Sequence, residues 1–290
     1  MASSTAPGAT PSVLRRVGGR PLAELVVDGF RELLGRERLI RYLVRANMKR
    51  THSDTVLGQL WWIVDPLFQM AIYYLLVAII FRRATPDFPL FLFAAILPWK
   101  WLSTGLSASA VSVTGRESLI RQLQFPKIVL PAAATLATTV SFVFSLVALA
   151  IMYVPYLHRL SPWILALPLI AFVQFFFVLG VGMILAALNA FYRDIQNVLG
   201  HVVRLWFYVS PGLFSVEHLD PDSKFRIALA VNPMTPILES YRDIIWGTDT
   251  TGGVAPDFVG LGLVLLFSFA LLAVAVAIFK RAEPAFARIL

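Results

Sequence analysis

The stretch GRESLIRQLQFPKIVLP, Gly115–Pro131, decides how the rest of the chain is read. Arg116, Glu117, Arg121 and Lys127 stand here between two long apolar runs that carry almost no charge. A short helix from Ser112 to Leu123 is expected. Phe125-Pro126 ends it, because the residue before a proline is driven out of the helical region. Held between two membrane spans, such a helix can enter a groove on a partner, its charged face setting register and Phe125 anchoring it. A plain connecting loop has the same appearance, and the residues alone leave both readings open.

The flanking runs place the chain among multi-span membrane proteins. Hydrophobic residues make up 58% and charged residues only 14%, against about a quarter charged in soluble domains. Six runs reach the ~20 residues that a span needs, at about 59–81, 89–113, 128–154, 163–188, 198–216 and 258–279. The expected fold is an all-α integral membrane protein with six transmembrane helices. Cysteine is absent, which excludes disulfides, thiolate metal sites and cysteine nucleophiles.

Ahead of the first run, Leu22, Leu25, Phe30, Leu33, Ile40, Leu43 and Met48 recur at helical spacing, with Glu24, Asp28, Arg31, Arg38, Arg45 and Lys49 between them. That pattern describes a basic amphipathic helix lying in the headgroup region over residues 22–50, bent or split at Gly35. A helix of a small soluble N-terminal domain is the alternative. Residues 1–21 are polar and rich in Pro and Gly and read as a disordered tail. They hold no apolar core of a signal peptide, so entry through an uncleaved first span is expected. Residues 51–290 form the transmembrane domain.

Charge orients the spans. The N-terminal region, the Gly115–Lys127 loop, the Asn189–Asn197 loop and the C-terminal end hold seventeen Lys/Arg, and the opposite loops six. By the positive-inside rule both termini are cytoplasmic. The net charge of +8 is therefore read as a topology signal and a lipid attraction. A nucleic-acid partner is not expected, since no contiguous basic face with base-reading side chains is seen.

No catalytic set or metal motif is visible, and His52, His158, His201 and His218 fall on separate loops or span ends. No phosphate-binding glycine loop occurs either, so ATP-driven transport would need a second polypeptide. Ionisable residues inside spans are functional candidates. Asp65 before Pro66 reads as an N-cap and helix start. Arg204 can snorkel to the surface. Lys100, half-way down the second span, either meets an anionic substrate group or is solvated in a cavity. The aromatics Trp61, Trp62, Tyr73, Trp99 and Trp101 are either interfacial belt residues or the lining of a pathway on which sugar rings stack.

Several motifs resemble one family in order along the chain: SDTVLGQLWWIVDPL with Trp61 and Pro66, LPW at Leu97–Trp99, SLIRQLQFPKIVLP, FYRDI at Phe191–Ile195, and VNPMTPILESYRDI with Asn232, Pro233 and Arg242. From about Arg50 to Arg242 the chain resembles the permease subunits of ABC-2 type transporters, in the branch exporting lipid-linked polysaccharides and polyol phosphates. The resemblance implies a homodimer bound to two copies of an ABC ATPase subunit, which carries the ATP and Mg; this chain would hold no cofactor and catalyse nothing itself. It implies ATPase-coupling contacts at Arg116, Glu117, Arg121, Gln122, Phe125, Pro126 and Lys127, and at Tyr192, Arg193 and Asp194. It implies short re-entrant gate helices before the last span, around Asn232, Pro233 and Pro236. On this reading Arg45, Lys49 and Arg50 guard an entrance for a polyprenyl pyrophosphate anchor in the bacterial inner membrane, and Trp61, Trp62, Tyr73, Trp99, Lys100 and Trp101 line the pathway. A drug- or lipid-exporting ABC-2 permease and a self-contained channel or proton-coupled transporter are the rival readings.

Overall fold

The computed structural model describes residues 21–51, 55–80, 87–216, 219–220, 223–248 and 251–289. The tail expected to be disordered, up to residue 20, lies outside the described residues, as do His52 and His218. Among the described residues every regular element is helical.

The amphipathic segment breaks at its glycine into α1 (Leu22–Gly35) and α2 (Glu37–Thr51). Then come α3 (Trp61–Tyr74), passing into a π-helical turn at Leu75–Ile80, and α4 (Phe88–Ala110). A 3₁₀ turn at Thr114–Arg116 leads into α5 (Glu117–Gln122), after which Leu123 is extended. The long helices α6 (Val129–Tyr153) and α7 (Leu167–Phe191) are joined through 3₁₀ turns. α8 (Ile195–Val209), α9 (Lys224–Val231), α10 (Met234–Ile245) and α11 (Phe258–Ile289) complete the order.

Among the described residues, five segments are long and apolar enough to cross a bilayer: Gly58–Val77, Phe88–Ala110, Val129–Arg159, Pro162–Phe191 and Phe258–Phe286. The run expected as the fifth of six spans contains only the 15-residue α8. At about 1.5 Å per residue it covers about 22 Å, short of a hydrocarbon core of about 30 Å.

α4 is the central pillar. Leu90 through Trp99 are all buried, and the helix packs against α3, α6, α7, α8 and α10. A helix apolar on every side belongs inside a bundle, so the second span meets neighbouring helices around most of its girth. Close approach is achieved with small residues. A Cβ on Gly182 of α7 would fall 2.8 Å from Ser109 of α4, whose hydroxyl bonds Thr135 of α6 at 3.0 Å.

A second core forms where Ile40 and Leu43 of α2 meet Ile120 of α5, the start of α6 and the end of α11. α1 lies along α11: a Cβ on Gly29 would fall 2.3 Å from Val276. Lys280 of α11 bonds both oxygens of Glu32 at 2.9 Å and Glu283 at 2.6 Å. Glu283 in turn accepts the backbone N–H of Lys127 at 2.5 Å.

The Asp-Pro pair does not start a helix. α3 begins at Trp61 and carries Asp65 and Pro66 in its interior; Asp65 is occupied by a cation on α4 instead. Of the two prolines named in the segment before the last span, Pro233 stands at the α9–α10 corner. Pro236 lies in the first turn of α10, where the missing N–H would have had no helical partner.

Candidate functional site

The apolar walls of α2, α3, α4 and α6 enclose a cavity of about 590 Å³. Trp61, Trp62 and Asp65 reach it from α3, Lys100, Trp101, Thr104 and Ser107 from α4, and Thr138, Ser141 and Phe142 from α6. Helical spacing explains the α4 contribution, since Lys100, Thr104 and Ser107 follow at i, i+4 and i+7 on one stripe. Trp101 stacks on Phe142 with centroids 4.4 Å apart, and Trp62 leans on Phe144 at 5.3 Å. The wall thus offers aromatic faces, hydroxyls and charge together.

Lys100 and Asp65 form an ion pair across this space. Their side chains are 29% and 51% exposed, so the pair is open to the cavity and not packed over. At one end Arg116 closes the wall, donating to the Asn47 amide oxygen of α2 at 2.5 Å, with Arg50 and Thr51 beside it.

Sequence candidates separate into groups here. Arg50, Trp61, Trp62, Lys100 and Trp101 share the cavity, and Arg116, read as a coupling residue, joins them. Trp99 and Tyr73 turn toward α8 instead. Trp99 meets Trp206 at 5.5 Å and Phe207 at 5.2 Å, and Tyr73 meets Phe207 at 5.4 Å. Arg45 and Lys49 are exposed on α2 away from the cavity wall.

The two loops singled out as contact regions lie together. Arg193 reaches Glu117 at 3.6 Å, and Glu117 also holds Arg121 at 2.8 Å. Behind them buried Asn189 donates to Thr114 at 3.3 Å and accepts the Gln196 N–H at 3.2 Å. Gln122, Tyr192 and Asp194 are exposed, while Phe125, Pro126 and Lys127 are half-buried. Phe125 packs on the second core.

At the α9–α10 corner, Asn232 accepts from Trp206 Nε1 at 3.2 Å and from the Met234 N–H at 3.1 Å, and donates to Ser210 at 2.8 Å. It fastens the corner to the end of α8. Arg242 on α10, 2% exposed, donates to the carbonyls of Pro211 at 2.7 Å and Phe214 at 3.1 Å and to Glu239 at 2.7 Å. Its guanidinium lies over the Phe91 ring at 4.0 Å. Arg159 at the end of the third long segment bonds Asp87 at 2.5 and 2.9 Å and the carbonyls of Thr248 and Thr251 at 2.5 and 2.9 Å. Charge counting alone took both arginines as loop charges. One signal marked Arg242: it falls on the apolar stripe of Ile237, Leu238, Tyr241 and Ile245, three residues after Glu239.

No group of three or more His, Cys, Asp or Glu that could hold a metal occurs among the described residues. The arrangement is a bundle with a charged, aromatic cavity beside an exposed charged surface.

Comparison with known proteins places that arrangement. Residues 38–246 match the family described as ABC-2 type transporter. The chain belongs to the ABC-2 type transporter family. Among its relatives, an O-antigen export system permease protein RfbA of Myxococcus xanthus is 30% identical over 257 residues, covering 89% of this chain and 97% of the relative. A protein of the same description from Klebsiella pneumoniae is 26% identical over 253 residues, covering 87% and 95%. As an ABC-2 membrane protein the chain is multi-pass, and α4, with its cavity, is the centre of the ABC-2 fold in this molecule.

Proposed function

We propose that this chain is the permease subunit of an ATP-driven exporter that moves a polysaccharide on a polyprenyl pyrophosphate anchor across the bacterial cytoplasmic membrane. The observation that carries the reading is the cavity: tryptophan faces and hydroxyls suit sugar rings, and its excess of cations suits an anionic anchor. The relatives, O-antigen export system permease proteins, support the same class of cargo.

On this reading two copies of the chain pair and bind two ATPase subunits, which carry ATP and Mg. The Glu117–Arg193 surface, with Arg121, Gln122, Tyr192 and Asp194, is the face they grip. Phe125, Pro126 and Lys127 pass the stroke to α6. Arg45, Lys49 and Arg50 draw the anchor toward the cytoplasmic end of the cavity. α8 and the irregular Ser210–Val216 stretch make a further crossing, six in all, with both termini cytoplasmic. Non-helical backbone is tolerated at membrane depth only where its polar groups are satisfied inside protein, and Arg242 does that for the carbonyls after α8. α9 and α10, hinged at Asn232–Pro233, act as the outer gate.

The test is to isolate the permease from its native membranes and identify what remains bound. An ATPase with a nucleotide-binding motif is expected, and it should be lost when Glu117 and Arg121 are both changed to Ala. That ATPase should be stimulated by lipid-linked polymer. Stimulation by small amphiphiles alone would move the assignment to drug or lipid export. Transport by the isolated permease without ATP would overturn it.

A further inference from the structure

α11 is longer than a membrane crossing requires. Its 32 residues cover about 48 Å, against a hydrocarbon core of about 30 Å. The uncharged run ends at Phe279, and Lys280, Arg281 and Glu283 open an extension that stays helical to Ile289. Along it Ala282 is half-buried against the second core, and Phe286 is fully enclosed in that core. The extension touches both loops proposed to meet the motor. At the first, Pro126 stops the chain after α5, and α6 starts at Val129 with Ile128 in the cap position. Isoleucine has no oxygen to offer the free N–H groups of a helix start. The Lys127 N–H is completed instead from 156 positions away, by Glu283 Oε1 at 2.5 Å. The backbone dipole also favours a carboxylate at a helix head.

At the second loop, Phe286 meets the ring of Phe191, the first residue of FYRDI, with centroids 5.9 Å apart, and the ring of Phe279 at 5.2 Å. The direct ties between the two loops are weaker. The Glu117–Arg193 pair is 3.6 Å long with side chains 37% and 67% exposed, and exposed pairs contribute little. The Asn189–Thr114 bond is long, at 3.3 Å. A charge-assisted hydrogen bond and the burial of an aromatic ring both outweigh such contacts, and both run through the extension.

We propose that the α11 extension, acting through Glu283 and Phe286, joins the two loops into one unit, so that neither is displaced without the other. Glu283 and Phe286 are positioning residues: one completes the head of α6, the other holds the end of α7. The proposal rests on the export reading only for the force that the loops receive. Its consequence is that α6 and the end of α7 take up one displacement together instead of two in turn.

Hydrogen exchange of the full-length permease in lipid nanodiscs tests this, because exchange reads the local opening of each segment. E283A should speed exchange at residues 125–130 about tenfold or more, the loss of one charge-assisted bond. It should also speed exchange at 189–196, and F286L should do the same at both places. E283Q keeps a neutral oxygen acceptor and should fall between wild type and E283A. Peptides of α10, whose buried residues belong to the other core, should exchange as in wild type. An effect confined to 125–130 in E283A and to 189–196 in F286L makes the contacts independent and overturns the unit. Wild-type exchange in E283A overturns it too, as does an equal rise in α10, which marks general loosening. Should F286L fail to fold, F191A removes the same ring contact from a residue that is 41% exposed, and the rise at 125–130 then decides. No ATPase, ATP or polymer is present, so the outcome is separate from export, which is scored by surface polysaccharide in cells.

Discussion

Arg242 and Arg159 at one end of the molecule and Arg116 and Lys100 around the cavity are all cations surrounded by apolar helices, but they are used differently. Arg242 and Arg159 are each held from several sides. Each has a carboxylate, backbone carbonyls and an aromatic face, Phe91 for one and Trp246 at 5.3 Å for the other. Among the described residues Arg116 donates to one amide oxygen, and Lys100 pairs with one carboxylate open to the cavity. The first pair holds irregular backbone in place, whereas the cavity pair faces open space with fewer contacts among the described residues.

The sharpest way to break the comparison is Arg242→Ala. It removes the donor to the carbonyls of Pro211 and Phe214 inside the protein, and losing one partner of a buried charged network costs about 3–5 kcal/mol. The expected result is a lower thermal midpoint in detergent and a broadened size-exclusion peak, with Arg242→Lys intermediate because an ammonium cannot cover the same set of acceptors. Arg159→Ala should cost less, because Arg159 and Asp87 are 10% and 20% exposed whereas Arg242 is 2% exposed, and water covers part of the loss. Limited proteolysis near Thr251 reads this loss locally.

Lys100→Ala and Asp65→Asn should change stability by at most about 1 kcal/mol, because the pair they break is partly exposed to the cavity and exposed pairs contribute about that much. They should nevertheless lower export, measured as surface polysaccharide per unit of permease in the membrane. A stability loss equal to that of Arg242→Ala would erase the distinction between the two regions. At the small end, Arg41→Ala removes an exposed i, i+4 pair with Glu37 and should shift stability by no more than about 0.5 kcal/mol.

Much of this architecture was legible in the sequence because membrane spans and amphipathic helices are local patterns. Gly35 marks the α1–α2 break, Phe125-Pro126 the stop after α5, and the apolar runs the long helices. Trp61, Lys100 and Trp101 could be named as candidates because aromatic and charged side chains stand out in an apolar run. Their sharing of one cavity with Asn47 and Arg116 was not legible, since that depends on how α2 crosses α6. Asp65 shows the limit clearly. Its neighbour Pro66 gave a strong local signal for a helix start, and a partner 35 positions away on α4 decided its role instead. Trp99 is similar: its sequence neighbour Lys100 faces the cavity, and one residue of helical rotation, about 100°, turns Trp99 toward α8. The Lys280–Glu32 contact joins the two ends of the chain, and no window on the sequence contains both residues.

That last contact has a mechanical consequence. Lys280 grips α1 through Glu32, its neighbour Glu283 grips the backbone of Lys127 at the head of α6, and the Gly29–Val276 contact leaves no slack between α1 and α11. Three helices are pinned at one corner by triangulation, so the corner behaves as a rivet and not as a hinge. A displacement delivered at Lys127 cannot be absorbed there. It would reach α1 and α11 together, through Lys280 and Glu283.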